Sequence, residues 1–478
     1  MDFITLVSLL RMELLLTAGL VVLLIYKIFY EGARDKMAGW FTVSVLLGTF
    51  LCGIFLPAEG GYFGGMFITG SLAGMEKSIL SLGSVFIILF GRTWLENSRH
   101  ELEFYLLILS VLLGMFFMIS AGHLLMFYLG LELATLPLAA LAVFDFNKSR
   151  SSEAGVKLIL NSAFSSALLL FGASLVYGGS GTLYFPELNS AITFPASRGS
   201  SFLLLAGFSF LFTGFAFKIS AVPFHLWTAD VYEGAPVPVT AFLSVISKGA
   251  ALFVFVAVLY RVFPLYSETW SLVTGLMGAL TMVIGNLFAM RQGNLKRFLA
   301  FSSITQVGFL LVGVASASQL GHAAVLYFML IYLFSNLGAF AVVSVIADKT
   351  GKETLSDYRG LYKTNPMLAL ALLVALFSLA GIPPTAGFFG KLFLLNSGAS
   401  SGMIYLVIFA CMNMVVSLYY YLRVVKAMFV DTSDDPIPHF NSGLPVKIVL
   451  ACSVLGIILL GFFGGLFDYF TSLTFGLQ

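Results

Sequence analysis

The stretch SSFLLLAGFSFLFTGFAFKISAVPFHL at residues 200–226 is apolar almost throughout, but it contains Lys218 and Pro223. About 20 apolar residues suffice to cross the hydrocarbon core of a bilayer, so this stretch is too long for one straight crossing. Proline removes a backbone hydrogen bond and kinks or breaks a helix. The stretch therefore predicts an interrupted membrane helix with Lys218 near mid-depth. The alternative is a straight helix that lets Lys218 reach the membrane surface.

A second stretch repeats this pattern in reverse order. LAGIPPTAGFFGK at residues 379–391 places three glycines and two prolines before Lys391, whereas Lys218 precedes its proline. Two Gly/Pro-interrupted segments in corresponding places of two halves indicate an inverted-repeat transporter. Because freed backbone groups are tolerated at membrane depth only against protein or water, we expect both breaks to line a hydrated path.

The composition agrees with a membrane protein. Of 478 residues, 59% are hydrophobic and 10% are charged, against roughly 25% charged in soluble domains. A formal charge of +2 does not indicate the strongly basic surface that nucleic-acid binding requires. Cys52, Cys411 and Cys452 show no metal-ligand spacing, so neither a metal nor a redox centre is predicted. No polar linker divides the chain, which we interpret as one membrane domain over residues 1–478.

Apolar runs of 18 or more residues predict an all-α polytopic protein with about fourteen transmembrane helices. The approximate spans are 13–30, 38–57, 77–94, 102–121, 123–145, 154–178, 200–226, 236–261, 270–290, 297–316, 322–347, 366–395, 403–429 and 445–470.

The distribution of lysine and arginine predicts the orientation. Short cytoplasmic loops carry the excess of positive charge. If the N-terminus lies outside, about 17 of the 25 basic residues fall at cytoplasmic ends and about four fall outside. Both termini are then periplasmic. The cytoplasmic set includes Lys27, Arg34, Lys36, Arg92, Arg99, Lys148, Arg150, Arg291, Lys296, Arg297, Lys349 and Lys363, and the outside set is Arg11, Lys77, Arg198 and Arg261.

Ionisable side chains inside the spans are the functional candidates, because an ionised group at the bilayer centre costs at least about 2.5–3.5 kcal/mol. Glu132, Lys218, Lys248 and Lys391 meet this criterion. Burial raises the pKa of a carboxyl and lowers that of an ammonium, while a nearby opposite charge reverses both shifts. A Glu–Lys pair that forms and separates is therefore a proton switch. The alternative for each is a structural ion pair.

Polar residues nearer the span ends carry weaker indications. Lys157 begins the sixth span and could equally reach the surface, and His225 could relay protons or only stabilise a helix end. Asp230 and Glu233 suggest a proton entrance or a docking surface, against the alternative of a solvated loop. The other four histidines are expected to face solvent; these are His100, His123, His322 and His439.

Several motifs resemble signatures of the antiporter-like membrane subunits of respiratory complex I, the NADH-quinone oxidoreductase. They are VPFHLWTADVYEGAPVPVTAFLSVISKGA (222–250), NLKRFLAFSSITQVGFLLVG (294–313) and SLAGIPPTAGFFGKLFLL (378–395). The segment GVKLILNSAFSSALLLFGASLVYGGSGTL (155–183) is most similar to subunit N. The resemblance extends from about Glu101 to Arg423.

The resemblance implies two inverted five-helix repeats, helices 4–8 at 102–261 and helices 9–13 at 270–429, with discontinuous helices 7 and 12. Helices 1–3 at about 13–94 precede the repeats, and helix 14 at 445–470 follows them. It further implies a Glu132–Lys218 pair, a central Lys248 and a terminal Lys391. The remaining implied positions are Lys157 and His225, and a polar axis of Ser302, Ser303, Thr305, Gln306 and Asn336. Gln306 and Asn336 depart from the family, in which relatives often carry ionisable groups, and water would have to bridge Gln306.

By the same resemblance, the chain is a proton-translocating subunit of a bacterial inner-membrane enzyme. NADH, FMN, iron–sulfur clusters and quinone are expected in partner subunits, and neighbouring antiporter-like subunits and lipid would surround the chain. The alternatives are a subunit of a multisubunit sodium/proton antiporter or of a ferredoxin- or hydrogenase-linked complex, and a purely structural scaffold.

The predicted orientation is tested by labelling a single cysteine introduced at Lys352, in a chain whose native cysteines are replaced. A membrane-impermeant reagent should modify it from the cytoplasmic side only. A cysteine at Arg198 is the matched control and should react from the opposite side. Labelling of position 352 from the periplasm would overturn the topology.

Overall fold

The computed structural model describes residues 3–29, 36–95 and 100–474, so Arg34 and Arg99, and the side chain of Lys36, lie outside the described part. Fourteen helical crossings alternate in direction, and the first begins on the same face where the last ends. We call this the terminal face and the opposite one the loop face. The crossings are α1 Arg11–Phe29, α2 Lys36–Phe55, α3 Ser71–Leu95, α4 Glu101–Ile119, α5 Leu124–Ala142, α6 Ser149–Ser180, α7a Arg198–Lys218 with α7b Leu226–Gly234, α8 Val237–Arg261, α9 Ser267–Arg291, α10 Leu295–Ala315, α11 Gln319–Thr350, α12a Pro366–Ala380 with α12b Ala386–Ser400, α13 Ile404–Phe429 and α14 Leu444–Phe462.

The count of fourteen predicted from hydropathy is confirmed. Thirteen crossings contain a helix long and apolar enough to span a bilayer by itself. The fourteenth is α12, whose halves of 15 residues each are too short alone but together cover the required length.

Three local features differ from the sequence prediction. Residues 60–69 form an antiparallel hairpin of β1 Gly60–Tyr62 and β2 Phe67–Thr69 on the terminal face, so the fold is not purely helical. The hairpin turn needs left-handed backbone at Gly64 and Gly65, which glycine adopts without strain. The predicted last span of 445–470 is two helices, because α14 ends at Phe462 and a short helix runs over Gly465–Thr474. At the other end, a short helix Phe3–Leu9 precedes α1.

Helices 7 and 12 are both discontinuous, as predicted. Each break contains one residue in the left-handed region, Ser220 with φ 62° and Gly381 with φ 85°, and one cis X-Pro bond. The freed backbone is satisfied by protein, for example by a hydrogen bond of 2.9 Å from the Val222 amide to the Thr281 hydroxyl. The rings of Pro223 and Pro384 are nevertheless exposed on the outer surface of the chain. The expectation that the breaks line a hydrated path remains a prediction.

The two five-helix groups share local details that fit inverted repeats. The third helices, α6 and α11, both have 32 residues and end at a left-handed glycine, Gly181 and Gly351. The second helices, α5 and α10, both begin with a side-chain cap, in which His123 and Asn294 accept from backbone amides. The repeat boundaries in residue numbers remain a prediction.

The interior of the chain lies where α3, α8, α10 and α11 meet. The membrane window of α10 is buried completely, and those of α8 and α11 are 89% buried. By contrast, α1, α13 and α14 are mostly exposed on the outside. Polar groups on α8, α10 and α11 are therefore shielded from lipid by the surrounding helices.

The two left-handed residues predict opposite effects of substitution. Ser220→Gly should stabilise the chain by roughly 1–2 kcal/mol, because left-handed backbone is strained for residues with a side chain. Gly381→Ala should destabilise it by at least about as much, since a methyl group there would also lie 3.1 Å from Cδ of Lys391. Thermal unfolding of the purified chain in detergent measures both shifts.

Ser220→Ala is the matched control, because it removes the hydroxyl but keeps the strained backbone. A rise in melting temperature equal to that of Ser220→Gly would assign the gain to the buried hydroxyl, which has no hydrogen-bond partner, and would contradict the backbone explanation.

A candidate proton path at mid-depth

Glu132 and Lys218 are neighbours, but their pair is open. The Lys218 ammonium donates to the hydroxyl of Thr135 at 3.1 Å, and Oε1 of Glu132 has no hydrogen-bond partner. Thr135 lies three residues after Glu132, so both point from the same face of α5. Tyr128, one turn earlier, also interacts with the carboxylate. The lysine can therefore exchange a hydroxyl partner for a carboxylate partner by a small movement.

Lys218 lines a small cavity near mid-depth. The cavity also contacts Thr135 on α5, Ser162 on α6 and Ser247 on α8, and Ser247 lies near the centre of α8. About 40 Å³ is available to the centres of water molecules, and one water needs about 10–15 Å³ on this measure. The cavity can thus hold two or three waters between Lys218 and Ser247, the residue that precedes Lys248.

Lys248 is 4% exposed and has two partners. Its ammonium donates to the Ser303 hydroxyl at 2.8 Å and lies 5.2 Å from the centre of the Tyr232 ring. The preceding turn of α8, Phe242–Ser247, is a π-helical segment. Such insertions are frequent at functional sites because they alter the side-chain register of a helix.

The path continues along α10 from Ser303 to Gln306, which are one turn apart. A narrow space of about 10 Å³ for water centres lies between Lys248, Ser303, Gln306 and Tyr332. This is room for at most one water. The prediction that a water molecule bridges the proton path at Gln306 is compatible with the size of this space.

Gln306 and Lys391 meet at the end of α12a. The Gln306 amide donates to the Leu379 carbonyl at 3.0 Å, and the Lys391 ammonium donates to the same carbonyl at 2.7 Å and to that of Ala380 at 3.1 Å. The last carbonyls of a helix have no partner within the helix and carry the negative end of its dipole. The break in helix 12 thus creates the acceptor that binds the buried lysine, which is 1% exposed.

The other predicted axis residues divide into two groups. Ser302 shares a hydrogen bond of 2.7 Å with the Tyr421 hydroxyl, and Asn336 donates to Ser244 at 2.9 Å; both sites border the path. Thr305 instead bonds Asn286 at 3.2 Å on the side of α9. The structure therefore does not bring Thr305 together with the lysines.

Lys157 lies in an ion-pair cluster on the loop face and does not bond to the buried lysines. Its ammonium lies 2.7 Å from both Asp230 and Glu153, and Arg297 binds Asp230 at 2.9 Å and Glu233 at 2.7 Å. Asp230 and Glu233 are thus paired by cations from both repeats, and the solvated-loop interpretation does not describe them.

His225 lies in the break of helix 7. Its imidazole is buried, Nδ1 has no hydrogen-bond partner, and Lys248 is close enough for electrostatic interaction. This position is compatible with a relay between the path and the loop face.

Sequence reasoning missed several polar groups of the site. Thr135 could have been found from its spacing to Glu132, since residues at i and i+3 share a helix face. The hydroxyl of Tyr421, which accepts from Gln306 at 3.0 Å, and that of Tyr332 gave no sequence signal beyond their presence in an apolar span.

One histidine prediction is wrong. His322, expected in solvent, is 2% exposed and lies 3.9 Å from Glu76. The first turn of α11 is covered by α3 and α8, which sequence position alone does not indicate.

Chemically, the arrangement can carry protons but offers few ligands. Within the described ranges, no group of three or more His, Cys, Asp or Glu side chains is placed to hold a metal. What the site does contain is a line of ammonium, hydroxyl and amide groups with water-sized gaps. Such a line supports proton transfer between titratable groups.

Comparison with known proteins identifies the family of this chain. The family described as NADH:quinone oxidoreductase/Mrp antiporter, TM matches residues 121–417. An NADH-quinone oxidoreductase subunit N from Phocaeicola vulgatus is 46% identical over 95% of this chain and 96% of its own length. The same subunit of Rhodospirillum rubrum is 40% identical over 92% and 90%, respectively.

Two solved structures share the fold. A chain of respiratory complex I from Thermus thermophilus superimposes with a TM-score of 0.78 and 29% identity, covering 95% of this chain and 97% of that one. A chain of the Mrp complex from Dietzia superimposes with a TM-score of 0.86 over 99% and 97%, at 20% identity, and shows the fold alone. From the curated relatives and the family match together, this chain belongs to the subunit N family of NADH-quinone oxidoreductases.

Proposed function

We propose that this chain translocates protons as a membrane subunit of an NADH-quinone oxidoreductase, along Glu132, Lys218, Lys248 and Lys391. The observation that carries the proposal is the shared acceptor at the break of helix 12, where Gln306 and Lys391 bind one carbonyl. It joins the polar groups of the first repeat to the terminal lysine of the second. Lys157 and His225 would connect the path to the loop face.

In this proposal, the Glu132–Lys218 pair is the switch. When the ammonium binds the carboxylate, the opposite charge favours its protonated form. When it turns to the Thr135 hydroxyl, this stabilisation is lost and the proton can pass through the cavity toward Lys248. Each tenfold change in proton affinity corresponds to about 1.36 kcal/mol, so small rearrangements suffice. The driving movement would come from quinone reduction in the partner subunits.

The redox groups belong to those partners in this proposal: NADH, FMN, iron–sulfur clusters and quinone. We further propose that the chain lies in the bacterial cytoplasmic membrane, with the terminal face toward the periplasm. Neighbouring antiporter-like subunits and lipid would then cover the exposed helices, and the peripheral redox arm would be reached through those subunits.

A sodium/proton antiporter subunit is the second candidate, because the Mrp complex chain shares this fold. Vesicles containing the purified native complex decide between the two. Cation/proton exchange without an electron donor would favour the antiporter, whereas proton movement that requires NADH oxidation supports the proposed function.

Glu132→Ala or Lys218→Ala should lower proton pumping and coupled quinone reduction in the assembled complex. Either change removes the opposite charge on which the closed state of the switch depends, and loss of one member of a formed buried pair costs roughly 3–5 kcal/mol. Assembly is checked by recovery of the full-size complex with this chain present, and NADH oxidation with a hydrophilic artificial acceptor shows that the redox arm, which does not require the membrane path, is intact. A normal proton-to-electron ratio in an assembled Glu132→Ala complex would refute the switch and favour the scaffold interpretation.

Thr135→Val should also slow pumping, by several-fold, because it removes the alternative hydrogen-bond partner of Lys218 while keeping the side-chain volume. The free energy of one such bond to a charged group is about 1.5–3 kcal/mol. Thr135→Ser is the matched control and should pump normally, since it retains the hydroxyl. Equal pumping by the valine and serine variants would show that the hydroxyl has no part in the switch.

A further inference from the structure

Buried charges also lie between the mid-depth path and the terminal face. Glu76 and Lys77 are consecutive residues of α3 and point to different neighbours. Lys77 forms a buried ion pair with Glu13 of α1 and donates to the Ser120 hydroxyl at 2.6 Å. With an ion pair and a hydroxyl, this ammonium is fully partnered.

Glu76 faces a different environment. Its carboxylate is 5% exposed and lies 3.9 Å from Nε2 of His322 on α11, beyond hydrogen-bond distance. Neither ring nitrogen of His322 has a hydrogen-bond partner. A buried polar group without a partner is costly and calls for a functional explanation. Histidine is also the side chain whose charge changes most readily near neutral pH.

The Glu76–His322 pair lies next to a cavity at the terminal face. Tyr260, whose ring centre is 5.7 Å from that of His322, lines this cavity together with Arg261 and Trp270. About 680 Å³ is open to water centres there, far more than a few ordered waters need. Arg261 is also close enough to Glu76 to interact with it electrostatically. The charged and titratable groups facing the pair are thus Arg261 and Tyr260, because Lys77 is directed toward Glu13.

An apolar segment separates the pair from Lys248. Tyr260 follows Lys248 by twelve positions on α8, which is about 18 Å of helix. The space beside Lys248 is bordered on that side by Leu252, Leu310 and Met329. Apolar constrictions of this kind gate conduction by wetting and drying. The structure is thus closed between mid-depth and the terminal face.

We propose that Glu76 and His322 form the site at which the buried lysine path exchanges protons with water on the terminal face. A proton crossing the apolar segment binds one ring nitrogen of neutral His322, and the imidazolium passes a proton from its other nitrogen to the Glu76 carboxylate. The carboxylic acid then releases that proton to the cavity water beside Arg261, which restores the carboxylate. The imidazole is left in its other tautomer and returns to the first by a rotation of the ring before the next proton arrives. The reverse sequence takes up a proton.

This inference rests on the proposed function, and its test separates the two. His322→Gln and Glu76→Gln are introduced one at a time into the complete complex, and proton pumping and coupled quinone reduction are measured in proteoliposomes. Both activities should fall by roughly a hundredfold or more, because a positioned proton-transfer group typically contributes about 10²–10⁴-fold. NADH oxidation by an artificial acceptor should stay unchanged.

The glutamine variants introduce no charge and keep similar side-chain volumes, so assembly is expected. Glu268→Gln, an exposed carboxylate on the same face, is the matched control and should pump normally. Glu76→Asp retains a carboxyl and should recover pumping that Glu76→Gln loses, which a purely packing role would not produce.

An assembled His322→Gln complex with a wild-type proton-to-electron ratio would overturn the inference. If Glu132→Ala still abolished pumping in the same assay, the proposed function would stand and only the terminal-face site would be refuted. If neither His322→Gln nor Glu132→Ala affected pumping, both the proposed function and the terminal-face site would be refuted.

Discussion

The structure depends on one constraint: inside a bilayer, polar backbone and charged groups must find partners within the protein. The break in helix 12 shows how this constraint produces a site. Ending α12a at Ala380 leaves carbonyls without helical partners, and the ammonium of Lys391 and the amide of Gln306 bind them. The same arrangement satisfies the buried lysine, which would otherwise be too costly to ionise. Fold and site are therefore two consequences of a single interruption.

Helix 7 solves the problem differently. Lys218 ends α7a, and its partner is a hydroxyl on α5 instead of helix-terminal carbonyls. A hydroxyl stabilises an ammonium less than two carbonyls at a helix end do. The Lys218 side chain should therefore leave its hydrogen-bond partner more readily than the Lys391 side chain does. The carboxylate of Glu132 lies beside it as an alternative partner. This difference fits a role for Lys218 as the switch in the first repeat and for Lys391 as a more firmly bound group in the second.

The ion pairs of the loop face connect the repeats mechanically. Arg297 at the start of α10 binds Asp230 and Glu233 of α7b, while Lys157 of α6 binds Asp230. Movement of α7b would therefore displace α10, which carries Ser303 and Gln306. Ser303, the partner of Lys248, and Gln306, which shares an acceptor with Lys391, both lie on that helix. This geometry offers a physical link between the switch and the rest of the path, without requiring a conformational change of the whole chain.

Hydropathy, lysine placement and the Gly/Pro interruptions were sufficient to predict fourteen crossings and two broken helices, because helix length and backbone hydrogen bonding in a bilayer are local requirements. The sequence also identified four functional candidates, since a charge in an apolar span is costly wherever the helix packs. These are Glu132, Lys218, Lys248 and Lys391. Only the tertiary structure showed that Lys218 binds Thr135, that Lys391 binds helix-end carbonyls and that His322 is buried against Glu76. Those partners come from helices distant in sequence, and which face of one helix meets which face of another is decided by packing rather than by the local pattern of residues.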